Sequence, residues 1–166
     1  MNRLARMIAT VMGVGYLRPA PGTWGSAVAL PMAWGLHVIG GLPLLLLAIV
    51  VGFVKGLWAT GVMTRGSDNH DPCEIVIDEV IGQWIALLPL SYVAWSRGLD
   101  ITVLWPGWIA AFLLFRLFDI TKPGPIGTAD RRGDAMGVML DDVIAGVFAG
   151  IGVMILAGLW HGVLGL

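Results

Sequence analysis

Long apolar stretches separated by short polar segments form the main pattern of this chain. Four stretches approach the roughly 20 apolar residues that a helix needs to cross a bilayer, with roughly 17 as a lower limit. These four are residues 42–62, 81–95, 101–118 and 143–160. A fifth stretch, residues 24–39, is shorter and contains Pro31. We expect the helix of residues 81–95 to extend backward through Ile75, Val76 and Ile77. The pattern predicts an all-α, polytopic membrane bundle.

The basic residues indicate whether residues 24–39 cross the membrane or form a re-entrant segment. If the segment crosses, Arg97 lies alone on one side and the other basic residues of the loops and helix ends lie on the opposite side. These are Arg3, Arg6, Arg18, Arg65, Arg116, Lys122, Arg131 and Arg132. Cytoplasmic loops carry such an excess of positive charge. We therefore predict about five hydrophobic helices with a cytoplasmic N-terminus, in a single domain of residues 1–166.

Composition supports the membrane assignment and excludes several partners. The chain of 166 residues is 57% hydrophobic and only 13% charged, and its mean hydropathy is +0.84, far from the average of soluble proteins. A formal net charge of -1 argues against nucleic acid as a partner. The single cysteine, Cys73, can form neither an internal disulfide nor a thiolate metal site.

The predicted topology collects acidic residues on one side of the membrane. The polar loops 63–79 and 119–142 both lie on the cytoplasmic face, and they contain all of the acidic residues except Asp100. The tryptophans near the predicted helix ends, Trp84 among them, fit either an interfacial belt or packing within the membrane, and the belt is the favoured interpretation. The motifs GFVKG at 52–56 and GVFAG at 146–150 have the spacing of small residues that allows close helix packing.

The first polar cluster is DPCEIVIDEVIG, residues 71–82. Asp71, Pro72 and Glu74 fit an N-cap, a first-turn proline and a capping box, so these residues can simply begin a helix. Asp78 and Glu79 would then lie a turn or more inside that helix, where capping does not explain them. Carboxylates among apolar residues are costly unless they are paired or bind a metal. Asp71 and Asp78 would share one helix face, being two turns apart.

The second cluster is FRLFDITKPGPI, residues 115–126. Arg116, Asp119 and Lys122 recur at a spacing of three along one helix face. An ordinary Arg–Asp pair with a snorkelling lysine is one interpretation. However, an unpaired arginine within LLFRLF would cost roughly 2.5 to 3.5 kcal/mol on insertion scales. The planar guanidinium suits a phosphate group, because it can hold two oxygens at once.

The third cluster is TADRRGDAMGVMLDDVIAG, residues 128–146, in which DAMGVMLDDVIAG is the part from 134 to 146. Asp141 and Asp142 are adjacent carboxylates at a membrane boundary and would repel each other unless a cation lies near them. Asp134 can be a helix cap, whereas Asp130 is either a loop ion pair with a neighbouring arginine or a ligand. Because the acidic residues are accompanied by no His or Cys set at ligand spacing, they point to a hard cation such as Mg²⁺ bound through oxygen.

Four motifs resemble the phosphatidylglycerophosphatase A family, in the same order and across nearly the whole chain. They are PGTWGS at 21–26, EIVIDEVIG at 74–82, FRLFDITKPGPI and DAMGVMLDDVIAG. The resemblance implies an inner-membrane, all-helical enzyme that uses Mg²⁺ to remove the terminal phosphate of phosphatidylglycerophosphate, with its active site facing the cytoplasm. The implied catalytic or metal-binding residues are Asp78, Glu79, Asp119, Asp141 and Asp142, with looser matches at Asp71 and Asp130. The implied substrate-binding residues are Arg116, Lys122, Thr23 and Ser26.

Rival chemistries lack their motifs in this sequence. Cys73 has Glu79 and not arginine six positions later, and no PSGH, DxD or DGxxAR segment is present. These absences argue against cysteine-, histidine- and aspartyl-phosphate phosphatases and against CDP-alcohol phosphotransferases. A small transporter or channel with a carboxylate cation site is the alternative function. In that case the acidic residues should line a path at mid-depth in the membrane rather than lie at one face.

Overall fold

The computed structural model describes residues 2–66 and 71–163, with the backbone alone for residues 161–163. The described chain is all-helical, with seven α-helices and no strand. The helices are α1 (Arg3–Ala9), α2 (Pro21–Met63), α3 (Ile77–Ala86), α4 (Leu88–Arg97), α5 (Trp105–Thr121), α6 (Pro125–Asp130) and α7 (Ala135–Val163). Short 3₁₀ turns, Val14–Tyr16 and Ile101–Leu104, precede α2 and α5. The acidic residue Asp68, in the first polar loop, lies outside the described residues.

Three segments are long and apolar enough to cross a membrane, and the protein is a membrane protein. They are Pro21–Met63, Ile101–Thr121 and Ala135–Trp160. Large apolar side chains such as Leu47, Ile120 and Ile155 are more than half exposed on these segments. Such outward-facing apolar surface is what a lipid environment covers.

Helix α2 combines two of the apolar stretches recognised in the sequence. It has 43 residues, and its backbone leaves the helical conformation at Gly41, where φ is 63° and ψ is -157°. An L-residue with a side chain rarely adopts this conformation, so glycine allows the break. Residues 24–39 and 42–62 are therefore both helical and are separated at Gly41, two residues before Pro43.

Helix α3 begins at Ile77, so the predicted capping box of Asp71, Pro72 and Glu74 is wrong. Residues 71–76 are non-helical, and Ile75 and Val76 do not extend the helix backward. Instead, the Val76 N–H donates to the Ala9 carbonyl over 2.9 Å, and Ile75 packs with α1. This tertiary contact outweighs the local helix-start signals. As a result, Asp78 and Glu79 lie in the first turn of α3, and Asp71 shares no helix face with Asp78.

Close glycine contacts bring α3 against α7. A Cβ built on Gly146 would lie 2.4 Å from the Gly82 carbonyl oxygen, so the two backbones nearly touch. This contact agrees with the packing role predicted for the small-residue motif at 146–150. Trp84 follows the packing alternative and not the favoured belt interpretation, because it is buried and its indole N–H donates to the Ala29 carbonyl over 3.0 Å.

Two turns and the short helix α6 connect α5 to α7. Lys122 ends α5 in a left-handed conformation, with φ at 45°, so its side chain does not continue the helix face of Arg116 and Asp119. Asp134 accepts a hydrogen bond of 2.7 Å from the Gly137 N–H, and it caps α7 as predicted. These two turns place the end of α5 beside the start of α7.

Candidate active site

A cavity of about 310 Å³ opens at the end of the bundle where α2, α3 and α7 begin and α5 ends. Eight residues singled out from the sequence line it: Asp71, Asp78, Glu79, Arg116, Asp119, Lys122, Asp141 and Asp142. The others are Ala20, Pro21, Gly22, Cys73 and Ile75. Three predicted site residues, Thr23, Ser26 and Asp130, do not line the cavity. The fold therefore brings together charged side chains from three separate parts of the chain, residues 71–79, 116–122 and 141–142.

Three carboxylates form a compact cluster within this cavity. Asp78, Glu79 and Asp142 each offer an oxygen, and these oxygens lie within 4.8 Å of one another. Asp78 is 6% exposed and Asp142 is 3% exposed. Among the described residues, Glu79 Oε2 and Asp142 Oδ1 have no hydrogen-bond partner. Buried acceptors without donors are costly, and a divalent cation would satisfy them. The cluster can therefore hold a metal ion.

Two aspartates, Asp78 in the cluster and Asp141 beside it, are oriented by the backbone that follows them. Asp78 Oδ1 accepts the Glu79 N–H at 3.0 Å. Asp141, immediately before Asp142, accepts the Asp142 N–H at 3.0 Å in the same way. These short-range bonds fix one oxygen of each side chain.

Arg116 reaches the cavity from α5 and is already paired with a carboxylate. Its Nη1 donates to Asp119 Oδ2 at 2.5 Å and to Ser26 Oγ at 3.4 Å. Its Nε is buried without a partner among the described residues. The Arg–Asp pair considered from the sequence is therefore present. Because Asp119 is also close enough to Asp142 to interact with it electrostatically, the pair lies beside the carboxylate cluster.

Lys122 lines the cavity and forms ion pairs with one carboxylate of α6 and one of α7. Its Nζ donates to Asp141 at 2.7 Å and also to Asp130. Burial acts to lower the pKa of Lys122, but the hydrogen bonds to these two carboxylates raise it above the ordinary value. Lys122 is therefore a permanent cation at the cavity wall. Asp130 forms the ion pair considered from the sequence, although its partner is Lys122 and not an adjacent arginine.

Asp71 lies at the mouth of the cavity, outside the membrane-spanning helices. Desolvation raises the pKa of Asp71 above its ordinary value, and the nearby Lys122 ammonium opposes this shift without cancelling it. Asp71 is thus a further acidic group near the cluster, contributed by a non-helical segment. Cys73, two residues later, is exposed and accepts a 3.6 Å hydrogen bond from Arg18.

Gly22 lines the cavity, and the sequence analysis did not assign it to the site. A Cβ built on Gly22 would lie 2.2 Å from Glu79 Oε1 and 3.3 Å from Arg116 Nη1. The first turn of α2 can therefore approach the carboxylate cluster only because residue 22 lacks a side chain. The glycine between proline and threonine in PGTWGS was the available signal, but its partner in space could not be read from the sequence.

Ser26 lies behind the cavity and supports Arg116. It is fully buried and donates to the Gly22 carbonyl at 3.0 Å, while it accepts the Arg116 hydrogen bond described above. Thr23 lies in the first turn of α2. Neither residue lines the cavity, although Thr23 directly follows the lining residue Gly22.

Together, the membrane fold, the carboxylate cluster and the two cations define an integral-membrane site suited to a metal ion and an anionic group. Comparison with known proteins identifies the family. The profile described as phosphatidylglycerophosphatase A matches residues 7–157. The chain belongs to the phosphatidylglycerophosphatase A family, and it is a phosphatase.

Individual relatives agree with this assignment over most of their length. The phosphatidylglycerophosphatase A of Haemophilus influenzae is 34% identical over 145 residues, which cover 86% of this chain and 82% of that protein. The Escherichia coli protein of the same name is 34% identical over 151 residues, covering 90% and 81%. A Bacteroides thetaiotaomicron protein provisionally named phosphatidylinositol-3-phosphatase is 35% identical over 150 residues, covering 86% and 87%. No solved structure matches the chain significantly.

Proposed function

We propose that this protein is a Mg²⁺-dependent phosphatase that hydrolyses phosphatidylglycerophosphate to phosphatidylglycerol and inorganic phosphate at the cavity described above. The main supporting observation is the position of three clustered carboxylates beside Arg116 and Lys122, in a chain of this family. Carboxylates alone would repel a phosphate dianion. Carboxylates that hold a cation, with the positive charges of Arg116 and Lys122 beside them, would attract it.

Asp78, Glu79 and Asp142 would hold the cation. All three donors are carboxylate oxygens, which is the donor type that Mg²⁺ prefers. Bound there, a divalent cation would withdraw charge from a phosphoryl oxygen. Asp71, Asp119 and Asp141 lie in the same cavity and complete the acidic set, and Asp130 belongs to this set through its bond to Lys122.

Arg116 and Lys122 would bind the phosphoryl oxygens of the substrate. In the described structure their donors are occupied by Asp119 and Asp141, so substrate binding would replace carboxylate partners with phosphate oxygens. Asp119 would then be free to accept a proton. Water adds to phosphorus as the bond to the glycerol oxygen breaks, and the proton passes from water through Asp119 to the departing oxygen. Catalysis would thus depend on Asp78, Glu79, Asp119 and Asp142.

The proposed topology has five crossings in one domain of residues 1–166. The Gly41 break divides α2 into two crossings, α3 and α4 together form a third, and α5 and α7 are the others. We further propose that the cavity and the N-terminus face the cytoplasm, in the cytoplasmic membrane of a bacterium. Arg116 and Lys122 line the cavity and Arg18 contacts the lining residue Cys73. Arg97 instead ends α4, at the other end of the proposed α3–α4 crossing from Asp78 and Glu79, so the charge asymmetry favours this orientation.

Phosphate release from phosphatidylglycerophosphate by the purified full chain tests this function. We expect activity with Mg²⁺, loss of activity with a chelator, and recovery when Mg²⁺ is added back. A parallel assay with phosphatidylinositol 3-phosphate tests the chemistry in the name of the Bacteroides relative. Absence of phosphate release from phosphatidylglycerophosphate in the presence of Mg²⁺ would refute the proposal.

The depth of the acidic residues favours an enzyme over the transporter or channel alternative. Asp78 and Glu79 lie in the first turn of α3, and Asp119 lies near the end of α5. Asp142 is about two turns from the start of α7. The cluster therefore lies toward one end of the bundle, whereas a conduction path requires acidic groups at mid-depth.

A further inference from the structure

The N-terminal end of α2 forms part of the cavity wall, and its backbone donors have no acceptor. Ala20, Pro21 and Gly22 line the cavity, and Ala20 provides no side-chain cap. Pro21 has no N–H, while the N–H groups of Gly22 and Thr23 make no hydrogen bond with any described residue. Donors at the start of a helix point along its axis toward the preceding chain, so here they point toward the cavity. This end of the helix also carries partial positive charge.

Independent evidence for a ligand comes from the carboxylates that line the same cavity. Asp142 is 3% exposed and lines the cavity, and its Oδ1 has no partner among the described residues. The same holds for the buried Oε2 of Glu79. Unpaired acceptors and unpaired donors therefore border the same cavity. A cation satisfies the first group and an anion bound to that cation satisfies the second.

The distance between the start of α2 and the Glu79 carboxylate is short. Gly22 approaches Glu79 so closely that an added Cβ would lie 2.2 Å from Oε1. No hydrogen bond joins Glu79 to either free N–H, so the carboxylate does not act as the cap of α2. An anion coordinated to a cation at Glu79 would therefore lie within reach of the first turn of α2.

We propose that the backbone N–H groups of Gly22 and Thr23 bind the phosphomonoester dianion in the cavity that Arg116 and Lys122 also line. This inference rests on the proposed phosphatase function and extends it to a backbone anion site. It gives three residues of PGTWGS separate roles. Pro21 begins the helix at a position where an N–H would have no helical partner. Gly22 allows the close approach to Glu79, and Ser26 accepts a hydrogen bond from Arg116.

The ligand chemistry is shared by two sources, the lipid headgroup and the released inorganic phosphate. Both present a terminal phosphate dianion, and both should use the same donors. Binding of the lipid headgroup is measured through the KM of hydrolysis. Binding of inorganic phosphate is measured directly in the presence of Mg²⁺, and this measurement does not depend on turnover.

The test compares Thr23→Pro with Thr23→Ala in the full chain. Both substitutions remove the hydroxyl, but only proline removes the N–H, and proline is tolerated in the first helical turn. We expect the dissociation constant of inorganic phosphate, measured by calorimetry, to be about tenfold higher for Thr23→Pro than for Thr23→Ala. The KM for phosphatidylglycerophosphate should rise by a similar factor. Equal phosphate affinities in two variants with equal unfolding temperatures would overturn the inference.

A second measurement uses the unaltered protein and remains decisive if Thr23→Pro does not fold. In ¹⁵N-labelled protein with Mg²⁺, titration with inorganic phosphate should move the amide proton resonances of Gly22 and Thr23 downfield. Phosphate binding that leaves both resonances unchanged would overturn the backbone site while leaving the phosphatase function intact. Failure of the function itself has a different signature, since the unaltered protein would then release no phosphate from the lipid.

Discussion

Gly22 and Glu79 are in direct contact, although 57 positions separate them in the sequence. The space for a Cβ on Gly22 is occupied by Glu79 Oε1 at 2.2 Å. Gly22→Ala should therefore displace either the start of α2 or the Glu79 carboxylate. We expect a fall of at least about tenfold in phosphate release and weaker Mg²⁺ binding, since small displacements in an active site are costly. Activity assays and calorimetry with Mg²⁺ measure the two effects.

Gly35→Ala is the matched control for that variant. Gly35 lies in the same helix, and a Cβ there would meet nothing within 4 Å. Alanine should leave activity unchanged and slightly raise the unfolding temperature, because it favours the helix by roughly 0.5–1 kcal/mol over glycine. Equal activity of Gly22→Ala and Gly35→Ala would contradict the importance of the close contact.

The carboxylate cluster gives a second prediction. Asp78→Asn and Asp142→Asn each keep the side-chain shape but remove a charge that a divalent cation requires. We expect phosphate release to fall at least roughly a hundredfold in each variant. Calorimetry should also detect weaker Mg²⁺ binding, so a loss of metal can be separated from a loss of chemistry.

Asp100→Asn is the control for these carboxylate variants. Asp100 is exposed, caps the 3₁₀ turn before α5 through the Thr102 N–H, and does not line the cavity. Asparagine also caps helix starts, so we expect near-normal activity and Mg²⁺ affinity. Full activity in both Asp78→Asn and Asp142→Asn would remove the proposed metal site.

The composition of the cavity was predictable because charge is scarce in this chain. With 13% charged residues, carboxylates next to apolar runs such as Asp78 and Asp142 needed a specific explanation. Topology then placed them at one end of the bundle. The role of Gly22 was not predictable, because glycine carries no chemical signal and its neighbour Glu79 is distant in sequence.

The start of α3 and the position of Trp84 show where local signals fail. Asp71 and Glu74 have the spacing of a capping box, but the hydrogen bond from Val76 to Ala9 holds the segment non-helical until Ile77. A contact with another helix cannot be read from a local motif. Trp84 was ambiguous for a related reason, since an indole suits an interface and a buried site with a free carbonyl equally well.

Lys122 supplies the third prediction through its bond to Asp141. Asp141 is 5% exposed, so Lys122→Met would leave a buried carboxylate without its cation. We expect the free energy of unfolding to fall by about 1–3 kcal/mol, less than for a fully buried pair because 28% of the Lys122 side chain is exposed. Thermal unfolding in detergent measures the loss.

A double variant separates the structural role of Lys122 from its role toward phosphate. Adding Asp141→Asn to Lys122→Met removes the unpaired charge, so the unfolding temperature should recover in part. Activity should not recover, because the phosphate has still lost a cation. Recovery of both quantities would mean that Lys122 serves the fold alone.

The contact between α3 and α7 supplies the last prediction. Asp78 and Asp142 lie on these two helices, and the helices approach closely where Gly146 meets the Gly82 carbonyl. A Cβ at residue 146 would be 2.4 Å from that backbone oxygen, and a backbone cannot rotate away as a side chain can. Gly146→Ala should therefore push the helices apart, lower the unfolding temperature and weaken Mg²⁺ binding. Gly158→Ala, in the same helix with nothing within 4 Å of the added Cβ, should change neither quantity. If Gly146→Ala binds Mg²⁺ as tightly as Gly158→Ala, the separation of the two carboxylates does not depend on this helix contact.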